Sequence, residues 1–129
     1  MRIKGAVSQD HIERLEVFHI PPTIETLIGL TPGNIDTSYK YKIEIASPSS
    51  GSEEMKSLCR AIDHTEVHSP LHGFYDFRWG CKFYNSGTKE VYTIYLDRWG
   101  ENAVIDNKSV SLKGGFYPWL KSHFFHNFG

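Results

Sequence analysis

Hydrophobic and polar residues alternate most strictly near the first third of the chain. Tyr39, Tyr41, Ile43 and Ile45 are separated there by Lys40, Lys42 and Glu44. A period of two puts one set on each side of a pleated backbone, so the segment predicts a half-buried strand. Arg14 to Ile20 predicts another, ended by Pro21-Pro22, which has no N–H donors to continue a ladder. Between them, Thr23 to Asn34 carries Ile24, Leu27, Ile28 and Leu30 and then Thr31-Pro32-Gly33-Asn34, which reads as a loop or a short turn of helix. From Glu53 to Ile62 the period changes. Met55, Leu58, Cys59 and Ile62 fall at helical spacing, after a polar connection in which Ser50 with Glu53 forms a capping box or Ser52 caps alone. Residues 63–74 read as a loop.

The second half is denser in rings. Phe77, Trp79, Cys81 and Phe83 share one face of a strand, with Asp76, Arg78 and Lys82 on the other. Asn85-Ser86-Gly87-Thr88 supplies turn chemistry and Glu90 to Asp97 returns. The register this implies sets Cys81 against Tyr92, Trp79 against Ile94 and Phe77 against Leu96. On the opposite face it pairs Arg78 with Tyr95 and Asp76 with Asp97. Like charges directly across a ladder destabilise it, so either Arg78 and Arg98 compensate them or they face a partner. Asn102 to Asp106, a turn at Asn107-Lys108, and Ser109 to Leu112 complete a meander. After Gly114-Gly115, the spacing of Phe116, Trp119, Leu120, His123 and Phe124 predicts an amphipathic helix with Pro118 in its first turn. Arg-Trp-Gly occurs at 78–80 and again at 98–100, which reads as two Trp anchors beside glycine breaks. The element order predicts one α+β domain over 1–129: an antiparallel sheet of about five to six strands, with a C-terminal meander and two helices packed on one face.

Composition narrows the function classes. Fourteen Lys and Arg against 15 Asp and Glu give a net charge of −1 over 129 residues, which lacks the basic excess of a dedicated nucleic-acid binder. The first residues are interrupted by Lys4, Ser8, Gln9, Asp10 and Glu13, unlike an export signal, and no window approaches the roughly 18 apolar residues of a membrane span. The expectation is a cytoplasmic protein with no membrane segment. Cys59 and Cys81 then read as two core-face thiols; a disulfide would need their Cα atoms within about 7 Å, which spacing does not decide.

Seven histidines invite a search for chemistry. His64, His68 and His72 stand four apart, as metal ligands on a helix would, but Pro70 and Gly73 interrupt them. His64-Thr65-Glu66-Val67-His68 places its glutamate one position too late for the zinc-protease pattern. A surface loop is the better reading. His123, His126 and Lys121 resemble an acid–base set for phosphate cleavage, yet His123 falls on the apolar face of the last helix and His126 in its tail. Neither a glycine-rich phosphate loop nor a nucleophile elbow is present in the sequence. The residues carry no enzymatic signal, and neither a cofactor nor a metal is expected.

From about Glu16 to Phe124 the chain resembles the small immunity proteins of bacterial contact-dependent growth inhibition. The segments that carry the resemblance are Val17-Phe18-His19-Ile20-Pro21-Pro22 followed by Leu30-Thr31-Pro32, Tyr39-Lys40-Tyr41-Lys42-Ile43, Phe77-Arg78-Trp79-Gly80 with Lys82-Phe83-Tyr84, Ile94-Tyr95-Leu96-Asp97-Arg98-Trp99-Gly100, and Trp119-Leu120-Lys121. The resemblance is one of size, element order and style. It implies a stoichiometric inhibitor that binds the C-terminal domain of one toxin, often a nuclease, and blocks its active site. The partner is then a protein, with no direct contact to nucleic acid or membrane, and the inhibitor a monomer or weak dimer. The hairpin face taken as uncovered supplies the candidate toxin-binding residues: Asp76, Arg78, Tyr95 and Asp97, with Glu101 and Asp106 nearby. Two other classes stay open: a small-molecule or nucleic-acid module with an aromatic platform, and a weak histidine-dependent hydrolase.

Overall fold

The computed structural model describes residues 14–20, 29–46, 53–70, 76–84 and 90–128. Seven strands form one antiparallel sheet, and three helices lie among the described residues. The strands are β1 (Arg14–His19), β2 (Tyr41–Ala46), β3 (Thr65–His68), β4 (Phe77–Tyr84), β5 (Glu90–Asp97), β6 (Asn102–Ile105) and β7 (Lys108–Gly114). The helices are α1 (Pro32–Ser38), α2 (Glu53–Asp63) and α3 (Phe116–Phe128). The spatial order is β2-β1-β4-β5-β6-β7-β3. The fold is α+β, with more strands than the sequence predicts.

The added strand is β3, inside the stretch read as a loop. Its four residues are too few to show a period, and its pairing with β7 is long-range (Thr65 opposite Gly114, His68 opposite Ser111). Thr65 fixes the junction. Its hydroxyl donates to the Ala61 carbonyl at 2.8 Å and accepts the Phe116 N–H at 2.8 Å, joining the end of α2 to the start of α3. A Cβ at Gly114, where φ is 127°, would lie 1.9 Å from the His64 carbonyl oxygen, so only glycine fits this crossing.

Alternation sets the main core. Leu15 and Val17 of β1, Trp79, Cys81 and Phe83 of β4, and Tyr92, Ile94 and Leu96 of β5 pack against Leu58 and Ile62 of α2 and Phe116, Trp119 and Leu120 of α3. The Trp119 indole N–H donates to Ser57 Oγ at 2.8 Å, satisfying the one polar atom this ring brings inside. Both long helices therefore cover one face, and Cys81 is a free, buried thiol. The described part of α1 covers the other face, where Ile35 joins Phe18, Ile20 and Phe77 in a second, smaller core.

Phe77 belongs to that second core because the ladder is irregular at Arg78. Observed partners are Phe77 with Asp97, then Trp79 with Leu96, Cys81 with Ile94 and Phe83 with Tyr92. The expected register lies two residues away, and it takes 77, 79, 81 and 83 as one uninterrupted face. The irregularity between Phe77 and Trp79 inserts a residue and turns Phe77 to the far side. Gly80 gives α1 room beside it. A Cβ there would lie 2.8 Å from Ile35 Cγ2 and 3.2 Å from the Tyr95 ring, so its absence lets the helix approach the sheet. The β6–β7 turn sits one residue earlier than expected, at Asp106 and Asn107, whose φ values of 47° and 69° suit the two-residue hairpin turn. The expected 85–88 turn and the Ser50 and Ser52 caps lie outside the described residues.

Candidate partner-binding surface

The six residues to which the sequence points do not form one exposed patch. Asp76, Arg78 and Asp97 are 2%, 1% and 0% exposed, so the face taken as uncovered is closed at this end of the sheet. Asp76 Oδ1 accepts the Leu30 N–H at 3.0 Å, while Oδ2 lies 3.0 Å from Arg78 Nη2, 3.1 Å from its Nε and 3.7 Å from Arg98 Nη1. The expected opposition of Asp76 and Asp97 is not formed, because Asp97 pairs across the ladder with Phe77; Arg78 and Arg98 both compensate Asp76 alone. Asp97 has separate work. Its carboxylate accepts the backbone N–H groups of Trp99, Glu101 and Asn102 and the Asn102 amide at 3.0–3.2 Å, organising the β5–β6 turn.

The same end holds a strongly perturbed histidine, His19. The His19 ring lies 3.8 Å from that of Trp79, and its Nδ1 is 3.1 Å from the Arg78 carbonyl oxygen. A carbonyl only accepts, so Nδ1 carries the proton. Burial, reinforced by the Arg78 charge, lowers the His19 pKa to about 4 against the weaker pull of that hydrogen bond, and the imidazole is neutral. Tyr117 closes the cluster, donating to the Arg98 carbonyl at 2.9 Å; burial and the Asp97 charge raise its pKa against a hydrogen bond with Trp79. These contacts are internal, and they build a scaffold. The two Arg-Trp-Gly copies differ accordingly: Trp79 is buried, whereas Trp99 is 47% exposed, with the Arg98 guanidinium 5.6 Å from its ring centroid.

A different set of side chains is displayed. The sheet face that α1 partly covers carries two cross-strand rows, Lys42–Phe18–Gly80–Tyr95 and Glu44–Glu16–Lys82–Thr93. Glu16 and Glu44 stand opposite each other, and cations separate their charges. Lys42 Nζ reaches Glu16 at 3.1 Å, Arg14 reaches Glu44 at 3.9 Å, and the Tyr84 hydroxyl donates to Glu16 at 2.6 Å. Desolvation pushes the Glu16 pKa up, but the Tyr84 and Lys42 bonds outweigh it and the net shift is down. The Arg14 guanidinium lies 4.1 Å from the Tyr84 ring centroid, a cation–π contact. Further along, Asp36 of α1 accepts from the Tyr95 hydroxyl at 2.8 Å and pairs with Lys82 at 3.4 Å. The Phe18 ring meets Tyr39 edge-on at 4.9 Å, with Lys42 and Lys82 ammonium groups within 5.6 and 5.3 Å. The more exposed of these pairs, Arg14–Glu44 and Lys82–Asp36, add only about 0–1 kcal/mol each; Lys42 and Tyr84 together satisfy the buried Glu16 carboxylate.

Comparison with family models, with curated proteins and with solved structures gave no match.

Two of the six expected residues share this displayed face. Tyr95 holds Asp36, and Asp106 continues the second row, accepting the Thr93 N–H at 3.0 Å. Glu101 is exposed at the opposite end of β6. Asp36, Glu16, Lys42, Lys82 and Tyr84 are not among the residues the sequence points to. Their signal is the polar side of the 39–45 alternation together with Lys82, but periodicity does not reveal that β1 lies between β2 and β4. His68 sits on β3, 3.3 Å from Glu66, and His64 in the turn before it; His72 and the side chains of Cys59, His123 and His126 lie outside the described residues. Among the described residues no group of three or more His, Cys, Asp or Glu could hold a metal ion. No helix among them is long and apolar enough to cross a membrane.

Proposed function

We propose that the protein neutralises a bacterial toxin domain, of the nuclease class, by binding it stoichiometrically and covering its active site. The observation that carries this reading is the displayed array of Asp36, Lys42, Glu44, Lys82, Tyr84 and Tyr95, whose charged heads are held by internal ion pairs and hydrogen bonds. An inhibitor gains affinity when its contact side chains are fixed before binding, because little rotamer entropy is then lost. Tyrosines beside mixed charges also suit a protein surface, where aromatic anchors dominate the energy and charges set register and association rate. The resemblance to contact-dependent growth inhibition immunity proteins supplies the partner: the C-terminal domain of the secreted toxin encoded directly upstream, met in the cytoplasm.

The test is complex formation. Purified protein mixed with that toxin domain runs as a one-to-one complex, and Lys82→Glu or Tyr84→Ala weakens it, with circular dichroism reporting that each variant is folded under the binding conditions. Absence of a complex with the upstream domain removes the proposal.

A further inference from the structure

The two ends of the sheet are treated differently. At one end β3 is four residues long and is followed by Ser69-Pro70, and short length and proline are both devices that prevent further strand pairing. At the other end β2 runs for six residues, all paired to β1 without a register shift, and contains no proline. No described strand covers its outer side. Tyr41, Lys42 and Glu44 are exposed along it, Tyr41 by 40%. Such an edge is a template for one more strand.

The sequence of β2 specifies which strand. Around Ile43 it is self-complementary. An antiparallel copy centred there sets Ile43 opposite Ile43, Lys42 opposite Glu44 and Tyr41 opposite Ile45. The register with β1 sets Lys42 and Glu44 opposite Phe18 and Glu16, and positions 41, 43 and 45 opposite His19, Val17 and Leu15. A two-fold pair in this register therefore makes two Lys–Glu cross-strand pairs on one side and continues the apolar core rows on the other. Other registers fail. Moving the centre to Lys42 or Glu44 opposes like charges, and moving it by half a step turns one sheet over, so that apolar rows emerge on opposite faces. We propose that β2 pairs antiparallel with β2 of a second copy of this chain, centred on Ile43, joining two seven-stranded sheets into one. This assembly goes beyond the toxin-neutralising reading and does not depend on it.

Sedimentation equilibrium of the full chain over a range of concentrations tests the pairing directly. The expected result is a reversible monomer–dimer equilibrium. Lys42→Glu replaces both cross-strand Lys–Glu pairs of the dimer with opposed carboxylates and weakens association about tenfold; adding Glu44→Lys restores it, with circular dichroism reporting the fold throughout. Directly opposite residues have Cα atoms about 4.5–5.5 Å apart, within the disulfide range of about 4.4–6.8 Å. Ile43→Cys therefore cross-links two copies under mild oxidation, with the bond mapped to that position. Ile45→Cys does not, because two copies of that residue would lie about 13 Å apart. A chain that sediments as a monomer at every concentration overturns the proposal, as does cross-linking equally fast at 43 and 45 or failure of the double charge swap to restore the dimer.

Discussion

Asp76 and Arg78, two residues apart in sequence, form an ion pair of 3.0 Å with both side chains almost wholly out of water. An irregular ladder step between Phe77 and Trp79 accompanies the pairing. With one partner removed, the other becomes a buried charge with incomplete compensation.

Arg78→Met removes the cation but keeps the length of the side chain. Asp76 would retain only the Leu30 N–H and the more distant Arg98, and the expected loss is about 3–5 kcal/mol. Asp76→Asn combined with Arg78→Met removes both charges and should cost clearly less than the two single changes added together. Urea unfolding of the four proteins in the cycle measures this. Strict additivity would mean that the two side chains do not stabilise one another.

Gly100 and Tyr117 form a second coupled pair. Gly100 has a φ of 72°, and a Cβ there would lie 2.1 Å from the Tyr117 ring. Gly100→Ala must therefore displace the ring and break its bond to the Arg98 carbonyl. In the parent it should cost well over the roughly 1–2 kcal/mol of left-handed backbone strain, whereas in a Tyr117→Ala background only that strain remains. Thermal or urea unfolding of both pairs distinguishes the steric part from the backbone part. An equal cost in the two backgrounds would place the penalty in the backbone alone.

The neutral buried His19 gives the fold an acid limb. In the unfolded chain this imidazole protonates near its ordinary 6.5, while in the fold it resists until about 4. Between these values the unfolded state binds more protons, so stability falls as pH drops from 6.5 towards 4 and the loss levels off below that. The full effect is on the order of 3 kcal/mol. Glu16 acts at lower pH still. Its lowered pKa contributes stability present above 4.5 and lost as the carboxylate protonates in the fold. His19→Phe keeps a ring against Trp79 and abolishes the first titration. Urea midpoints measured from about pH 7 to about pH 4 should slope less steeply for this variant than for the parent. Parallel slopes would assign the acid sensitivity to other groups.

Local periodicity reads what neighbours in sequence decide. Glu90 to Asp97, the start of α2 at Glu53 and the start of α3 at Phe116 all follow from spacing, and each is observed at those residues. The ladder irregularity at Arg78 is not legible, because Phe77 and Trp79 continue an alternation that looks unbroken; what turns Phe77 over is its packing with Ile35, Phe18 and Ile20. Strand order is equally hidden. Glu16, Lys42 and Lys82 come from three segments, and they meet only because β1 lies between β2 and β4. The same long-range placement exchanges the roles of the expected site residues, burying Asp76 and Asp97 and bringing Asp36 beside Tyr95.

Growth rescue tests the central claim most directly. Cells expressing the C-terminal domain of the upstream-encoded toxin should survive when this chain is co-expressed, and should die when it carries Asp36→Lys and Lys82→Glu together, although the variant folds. Equal killing with and without the parent chain would contradict the toxin-neutralising function. Full rescue by the folded double variant would contradict the placement of binding on the face of β1, β2 and β4.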